Sequence, residues 1–443
     1  MAAKIYKAIT KAKYYFLYSL LLVLFEQVHA QTTWTKHPTP VLSPSQTLFN
    51  WDAFATADAF VMNDDDTLKM WYAATGWVNS VMHVRIGYAW SLNGINWNQY
   101  AGNPVLDVDP DTARFDSDGI ETPTVIKDLS APANQRYKLW YAGRKSKNPT
   151  VLDHKLGYAY SPDGINWTKY PGNPVLVPGN NSSWYNTFLS SPSVIKEGTV
   201  YKMWFTTLDA YINGQPTDGK GNIGYATSSN GINWTVHPAA VLIAGDQNNW
   251  DSASAAEPSV LKIGNTYHMF YSALDQWTIE NFQVGYAHST DGINWTKSTL
   301  NPVLKVGTAG QWDRYWASHP TVMYDSTIYK FKMWYTGRDT ANIKTLTDHH
   351  WDIGYAESNY ITGVNWNISY GNLQIFPNPS ESNINIVLPD MQQHAEVIIY
   401  DMLGKEVLVS SSLNINIYNL QRGIYILLIK QGENSSIQKL VKQ

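Results

Sequence analysis

The stretch SPDGINWTKYPGNPVL, residues 161–176, decides the fold because the chain writes it again and again. It returns as SLNGINWNQYAGNPVL (91–106), SSNGINWTVHPAAVL (228–242) and STDGINWTKSTLNPVL (289–304). Three other runs recur around it. ADAFVMN (57–63), ETPTVIKD (121–128), SSPSVIKE (190–197), AEPSVLKI (256–263) and SHPTVMYD (318–325) form the first set. LKMWYAA (68–74), YKLWYAG (137–143), YKMWFTT (201–207), YHMFYSA (267–273) and FKMWYTG (331–337) form the second. RIGYAWS (85–91), KLGYAYS (155–161), NIGYATS (222–228), QVGYAHS (283–289) and DIGYAES (352–358) form the third. A period of about seventy residues means stacked or radially arranged supersecondary units.

Each run is rich in β-branched and aromatic residues and is bounded by Gly, Pro, Asn or Asp, which predicts a strand. Asn93-Gly94, Asp163-Gly164, Asn230-Gly231 and Asp291-Gly292 separate the third and fourth runs and predict tight two-residue hairpins. Four antiparallel strands in five repeats predict an all-β, five-bladed β-propeller. No amphipathic helix pattern interrupts this region. WTKHPTPVL (34–42) matches WTKYPGNPVL (167–176) with one residue missing, a fourth strand without its first three. The fifth repeat fades after Gly363-Val364-Asn365-Trp366, so the N-terminal strand is expected to complete it and leave no exposed sheet edge.

The 443 residues carry a net charge of −4, with no basic stripe, which argues against a nucleic-acid surface. Lys4, Lys7, Lys11 and Lys13 precede an apolar run from Tyr14 to Phe25, and Val28-His29-Ala30 offers a cleavage site. Residues 1–30 therefore read as a signal peptide, leaving no transmembrane helix in the mature protein. There is no cysteine, so an exported chain must rely on its core rather than on disulfides.

Three domains are expected: the signal peptide 1–30, the propeller 31–367 and a tail 368–443. The tail alternates strand and turn signals and predicts a small C-terminal β-sandwich. Its pieces are Pro377-Asn378-Pro379-Ser380, Ile399 to Lys405 (IYDMLGK), Leu420 to Tyr425 (LQRGIY) and the closing Lys439-Leu440-Val441-Lys442. They closely resemble the C-terminal sorting domain of the type IX secretion system. That resemblance implies a Bacteroidetes-type cell, the type IX machinery as partner, and a secreted or outer-surface location.

Repetition also separates structure from function. Residues that recur in every repeat are expected to be structural. The loops between the second and third strands differ in every repeat, so the binding face is expected there. The position before the strand-one proline, or its equivalent, reads Asp58, Thr122, Ser191, Glu257 and His319, with Glu121 one place earlier in repeat two. Carboxylates from different repeats would converge on one funnel. Glycoside hydrolysis needs such a set, one acid to protonate the leaving oxygen and one carboxylate to activate water or attack.

The propeller resembles the five-bladed glycosidase superfamily of family 43 arabinanases and β-xylosidases, invertase-like enzymes and mannoside phosphorylases. The resemblance rests on the S-x-D-G-I-N-W and N-P-V-L lines and on the carboxylates near the strand-one prolines. It implies a general base at Asp58, where family 43 has an Asp in its first blade. It implies a Glu acid two residues before a proline in a later blade. Glu121-Thr122-Pro123 has that form in repeat two, repeat three reads Ser190-Ser191-Pro192, and Glu257-Pro258 in repeat four is the other candidate.

Asp116 and Asp251, in the aromatic-Asp pairs entering strand one, are candidate substrate-binding neighbours, or else satisfy turn N–H groups. His319, Arg144 and Arg338 are candidate contacts, the arginines for a uronate or sulfate. Trp77, Trp277 and Trp351 are candidate sugar platforms. His349 and His350, with Asp348 and Asp352, fit no specific metal motif, so no metal residue is assigned, though a structural calcium is left open. No nucleotide or redox cofactor is implied. The leading expectation is a secreted glycoside hydrolase acting on polysaccharide or oligosaccharide. A non-catalytic surface glycan binder and an adhesion protein are the alternatives.

Overall fold

The computed structural model describes residues 34–359 and 374–443, apart from 46, 79–80, 147–152, 181, 209–210, 213–214, 217–218, 277–280, 326–329 and 340–350 in the first stretch and 389–394, 402–405 and 432–433 in the second. The described residues are nearly all β, with one short 3-10 turn at Ala133–Gln135. None of their helices is long and apolar enough to cross a membrane. The chain divides into two compact units, His29–Thr362 and a second containing Gly363–Gln443.

In the first unit each repeat forms antiparallel strands in sequence order. Repeat two is typical, with Gly119–Lys127, Tyr137–Arg144, Lys155–Ser161 and the two-residue strand Thr168–Lys169. The fourth strand is short because an asparagine replaces the rest of its ladder. The Asn173 side chain accepts the Tyr158 N–H at 2.8 Å and donates to the Tyr158 carbonyl at 2.9 Å. Asn103 and Asn301 do the same for Tyr88 and Tyr286. In repeat five the fourth strand is Trp34–Lys36, antiparallel to Trp351–Asn359. The expected N-terminal closure is present, and Leu42 bridges Ile353 as Leu176 bridges Leu156.

The Asn-Gly and Asp-Gly pairs do not make two-residue hairpins. Six residues separate Ser91 from the next strand at Asn98, and only the glycine of each pair has positive φ, +77° at Gly94. The side chains cap the loop instead. Ser91 Oγ accepts the Gly94 N–H and Asn93 Oδ1 accepts the Asn96 N–H, both at 2.9 Å. An Asx side chain that binds backbone two or three residues on competes with the tight turn that the dipeptide otherwise favours.

The glycine has a second task. The strand-two tryptophan of one repeat donates its indole N–H to the glycine carbonyl of the next. Trp71 reaches Gly164 and Trp140 reaches Gly231 at 2.7 Å, while Trp204 reaches Gly292 and Trp334 reaches Gly94 at 2.8 Å. The last bond joins repeat five to repeat one. A Cβ on Gly231 would lie 2.7 Å from the Trp140 ring. Repeat four carries Phe270 at this position, and its neighbour there is the N-terminal strand, whose Trp34 packs edge-on at 5.6 Å. The apolar cores lie between repeats. One of them joins Trp71, Ile86 and Tyr88 of repeat one to Ile120, Leu139 and Tyr141 of repeat two.

The second unit has a three-stranded sheet (Gln374–Phe376, Asn383–Val387, Asn414–Asn416) and a four-stranded one (Glu406–Ser410, Ala395–Asp401, Gly423–Gln431, Asn434–Lys442). Alternate residues of both, among them Ile384, Val397, Ile399, Leu427 and Leu440, fill one core.

Gly231→Ala must displace a fully buried tryptophan and hold alanine at positive φ. It is expected to cost about 2–3 kcal/mol, against no measurable change for exposed Ser229→Ala. A lowered urea midpoint with unchanged slope checks this.

Candidate active site

Every strand one carries a β-bulge at the same place. The register slips between Ala57 and Phe60, Glu121 and Thr124, Ser190 and Ser193, Ala256 and Ser259, and Ser318 and Thr321. The bulged residues are Asp58, Thr122, Ser191, Glu257 and His319, all in the left-handed region at φ of 52°, 49°, 48°, 54° and 45°. Non-glycine residues there cost of order 1–3 kcal/mol each, and such strain gathers where a side chain must be re-aimed. All five line one cavity of about 160 Å³, with Pro123, Pro192, Pro258 and Pro320 just below them.

The bulged N–H groups find partners on the preceding repeat. Glu257 donates to Thr206 Oγ1 at 2.7 Å, His319 to Ser272 Oγ at 2.9 Å, and Asp58 to Thr336 Oγ1 at 2.9 Å. Repeats one and two carry Ala73 and Ala142 at that strand-two position, so the preceding bulged side chain substitutes. Ser191 donates to Thr122 Oγ1 at 3.1 Å, and the Thr122 N–H bonds the Asp58 carboxylate.

Three titratable groups meet in this ring. His319 Nδ1 lies 3.3 Å from Asp58 Oδ1 and 3.0 Å from Glu257 Oε2, and its Nε2 lies 3.4 Å from Ser191 Oγ. Glu257 Oε2 also accepts the His319 backbone N–H at 3.0 Å. The three side chains are nearly buried, 9% exposed for Asp58, 11% for Glu257 and 16% for His319. Burial pushes the Asp58 carboxyl up to about 6; His319 opposes this, while Glu121 and Glu257 add to it. Burial alone would lower His319, but Asp58, Glu257 and Glu121 outweigh it and raise its pKa.

Glu121 stands apart, 2.7 Å from His154 Nε2. Burial works to raise its pKa, yet His154, Arg144 and His319 hold it at about 2. Arg144 also faces Asp118 at 3.6 Å. Glu121 is thus held toward its anionic form by His154 and Arg144 rather than paired with Asp58 or Glu257.

The remaining candidates divide. Asp116 and Asp251 do not reach the cavity. Asp116 accepts Lys169 at 2.7 Å and Tyr141 at 2.8 Å, and Asp251 accepts Lys297 at 2.6 Å. Both fasten strand four of their own repeat, as Asp313 does with Lys36 of the N-terminal strand. Arg338 is fully buried, its guanidinium 4.3 Å from the Trp316 ring and 5.6 Å from Trp351. Trp316 stacks on Phe282 at 4.6 Å and lies 5.0 Å from Trp351, and its indole bonds Ser318, the neighbour of His319. Sequence reasoning missed Trp316; its only signal was an aromatic three residues before the bulge. Trp77 packs edge-on against Phe54 at 6.4 Å, outside the cavity. Trp277, Asp348, His349 and His350 lie outside the described residues. Among the described residues no group of three or more His, Asp or Glu is placed to hold a metal.

Residues 374–443 match the family model of the Secretion system C-terminal sorting domain. They are a type IX sorting domain, which indicates export to the cell surface or release. The chain also has distant relatives. An uncharacterized protein of Mycobacterium tuberculosis is 26% identical over 217 residues, 48% of this chain and 64% of that protein. The chain thus spans less than two thirds of that relative. A β-1,2-mannobiose phosphorylase of Thermoanaerobacter is 26% identical over 135 residues, 29% of this chain and 44% of the enzyme.

Solved structures share the fold more broadly. A glycoside hydrolase has a TM-score of 0.58 at 15% identity, covering 79% of this chain and 97% of its own. A protein described with the GH130 mannoside phosphorylases, a family containing glycoside hydrolases that target β-1,2 mannosidic linkages in Candida mannan, has 0.55 at 17%, covering 74% and 94%. A thermostable family-43 glycoside hydrolase has 0.50 at 15%, covering 72% and 96%. The first unit therefore has the fold of the propeller glycosidases.

Asp58 is costly to bury as an anion. Its folded pKa of about 6 stands above the ordinary carboxylate value, so the penalty is full above pH 6 and vanishes below pH 4. Asp58→Asn is expected to melt a few degrees above the parent at pH 7.5, with the margin closing by pH 4, as followed by calorimetry.

Proposed function

We propose that this is an exported five-bladed β-propeller glycoside hydrolase, followed by a small β-sandwich that directs its export. Residues 1–30 are its signal peptide and polysaccharide or oligosaccharide its substrate. The observation that carries this reading is the meeting of Asp58, Glu257 and His319 from three repeats on strained bulges in one cavity. A structural aspartate has no need of a carboxyl raised to about 6.

In this reading Asp58 is the general base. A carboxyl that titrates near 6 is ionised at neutral pH yet basic enough to take a proton from water. Glu257 supplies the proton to the leaving oxygen as the glycosidic bond breaks. Glu121, held as an anion by His154 and Arg144, binds and orients rather than donates. His319 bridges the two reacting carboxyls, so a substrate entering between them has to turn its ring aside. Trp351 is the sugar platform of this reading, since Trp316 is packed against Phe282 and the Arg338 guanidinium.

One observation favours the second reading, a surface glycan binder without catalysis. His319 occupies the space between the carboxyls that a glycosidic oxygen would need.

A glycan panel incubated with the full chain separates the two, read by released sugar and by retardation in affinity gels. Hydrolysis is expected to rise with pH through about 6. It is expected to fall on the order of a hundredfold or more in Asp58→Asn and in Glu257→Gln, with both variants still bound to the gel. Retardation without release in the parent would leave the binding reading standing.

A further inference from the structure

We propose a second saccharide site, for a sugar ring that carries an anionic group, in the cavity lined by Lys138, Tyr158, Tyr160, Tyr170 and Tyr201. Comparison of the five repeats singles out Lys138. The second residue of the strand-two line is Lys69, Lys138, Lys202, His268 and Lys332. Three of the lysines pair with the acid that ends strand one of their own repeat. Lys69 meets Asp64 at 2.5 Å, Lys202 meets Glu197 at 3.3 Å and Lys332 meets Asp325 at 2.9 Å. His268 is bonded to Tyr286 at 2.8 Å.

Repeat two breaks the rule. Its strands one and two are joined by the insertion Asp128 to Arg136, which contains the 3-10 turn, where repeat three turns in two residues. Asp128 is consumed elsewhere, by Lys196 at 2.8 Å, Ser130 at 2.6 Å and Tyr201 at 2.5 Å. Lys138 is 8% exposed and, among the described residues, has no carboxylate within ion-pair distance. Its ammonium reaches the Tyr158 hydroxyl at 3.5 Å and lies 5.6 Å from the Tyr201 ring centre. A buried cation with no carboxylate in contact is expensive, and burial depresses this lysine although the more distant Asp128 charge opposes it.

The insertion also makes room. The cavity has a volume of about 580 Å³, the size of a small-ligand pocket. Tyr160, Tyr170 and Pro171 are partly or fully open to solvent, while Gln135, Thr199 and Asn230 add polar groups around them. Two ammonium groups, Lys138 and Lys196, face one carboxylate, so the lining is net positive. Aromatic faces match the apolar face of a pyranose, the amides and hydroxyls match its hydroxyls, and Lys138 matches a carboxylate or sulfate ester on it. The two cavities share no lining residue, so this site is separate from the cavity of Asp58. It stands whether or not that cavity is catalytic.

The test is calorimetric titration of the full chain with three probes: trigalacturonate, a sulfated galactose disaccharide and neutral galactotriose. The Asp58→Asn chain is expected to bind an anionic probe with at least tenfold preference over the neutral one, and which anion binds identifies the group recognised. Lys138→Met removes the charge at similar volume and is expected to fold, since it takes a buried unpaired cation out of the core. It should weaken the anionic probe about tenfold or more and leave the neutral one unchanged. Tyr160→Ala, on the open rim, should weaken both. Failure of both anionic probes to bind, or equal affinity in Lys138→Met, overturns the site. Loss of binding in Asp58→Asn with Lys138→Met unaffected would assign the anion to the first cavity instead.

Discussion

The structure depends on a bond that no single repeat can make for itself, the indole N–H of one repeat held by the glycine carbonyl of the next. The acceptor is available only because glycine there keeps positive φ and has no Cβ to meet the ring. Each repeat is thus half of two cores and the whole of none, as solenoid and propeller units generally are. The bond from Trp334 to Gly94 and the strand Trp34–Lys36 beside Trp351–Asn359 bind the two ends of the repeat series together. With the repeats locked in azimuth, the five strand-one bulges have no freedom to spread, and the strain at each is held in place by its neighbours.

The bulge ring shows how such a frame becomes asymmetric without losing its bonds. A strand-two hydroxyl satisfies the bulged N–H in three repeats. Where strand two has Ala73 or Ala142, the preceding bulged side chain must do it. Asp58 and Thr122 are therefore tied to their own neighbours, and only part of the Asp58 carboxyl is left for His319. A buried polar N–H has to be paired somewhere, so replacing a small hydroxyl by alanine in one strand forces a polar side chain in the next. The carboxylate proposed for chemistry also serves the frame.

Strand content, the repeat, the closing N-terminal strand and the tail were all legible, because each rests on local pattern. The bulge position was legible as a set of unlike residues before a proline present in four of the five repeats, which led to Asp58, Glu257 and His319. Their mutual geometry was not, since nothing in a strand pattern announces a left-handed residue at its centre. The Asn-Gly turns misled because the dipeptide rule assumes the flanking strands run up to the turn. Here Ser91 and Asn93 divert the backbone groups first. Asp116 and Asp251 misled for the opposite reason: a carboxylate near the binding face was read without its partners, Lys169 and Lys297, which stand about fifty residues away in sequence.

Departures from the repeat carry both proposals, and they do so by the same physics. A repeat fold satisfies its polar groups by a rule applied five times. A repeat that breaks the rule must either satisfy the group another way or leave it for a ligand. Asp116, Asp251 and Asp313 keep a rule of lysine pairing, and they are fasteners. Asp58, Glu257 and His319 differ from one another and from Thr122 and Ser191 at one repeat position, and they meet in a cavity. Lys138 breaks the pairing kept by Lys69, Lys202 and Lys332, and it too lines a cavity. In a repeat protein the sibling repeats thus serve as internal controls, and a charge whose siblings are paired while it is not becomes evidence for a ligand.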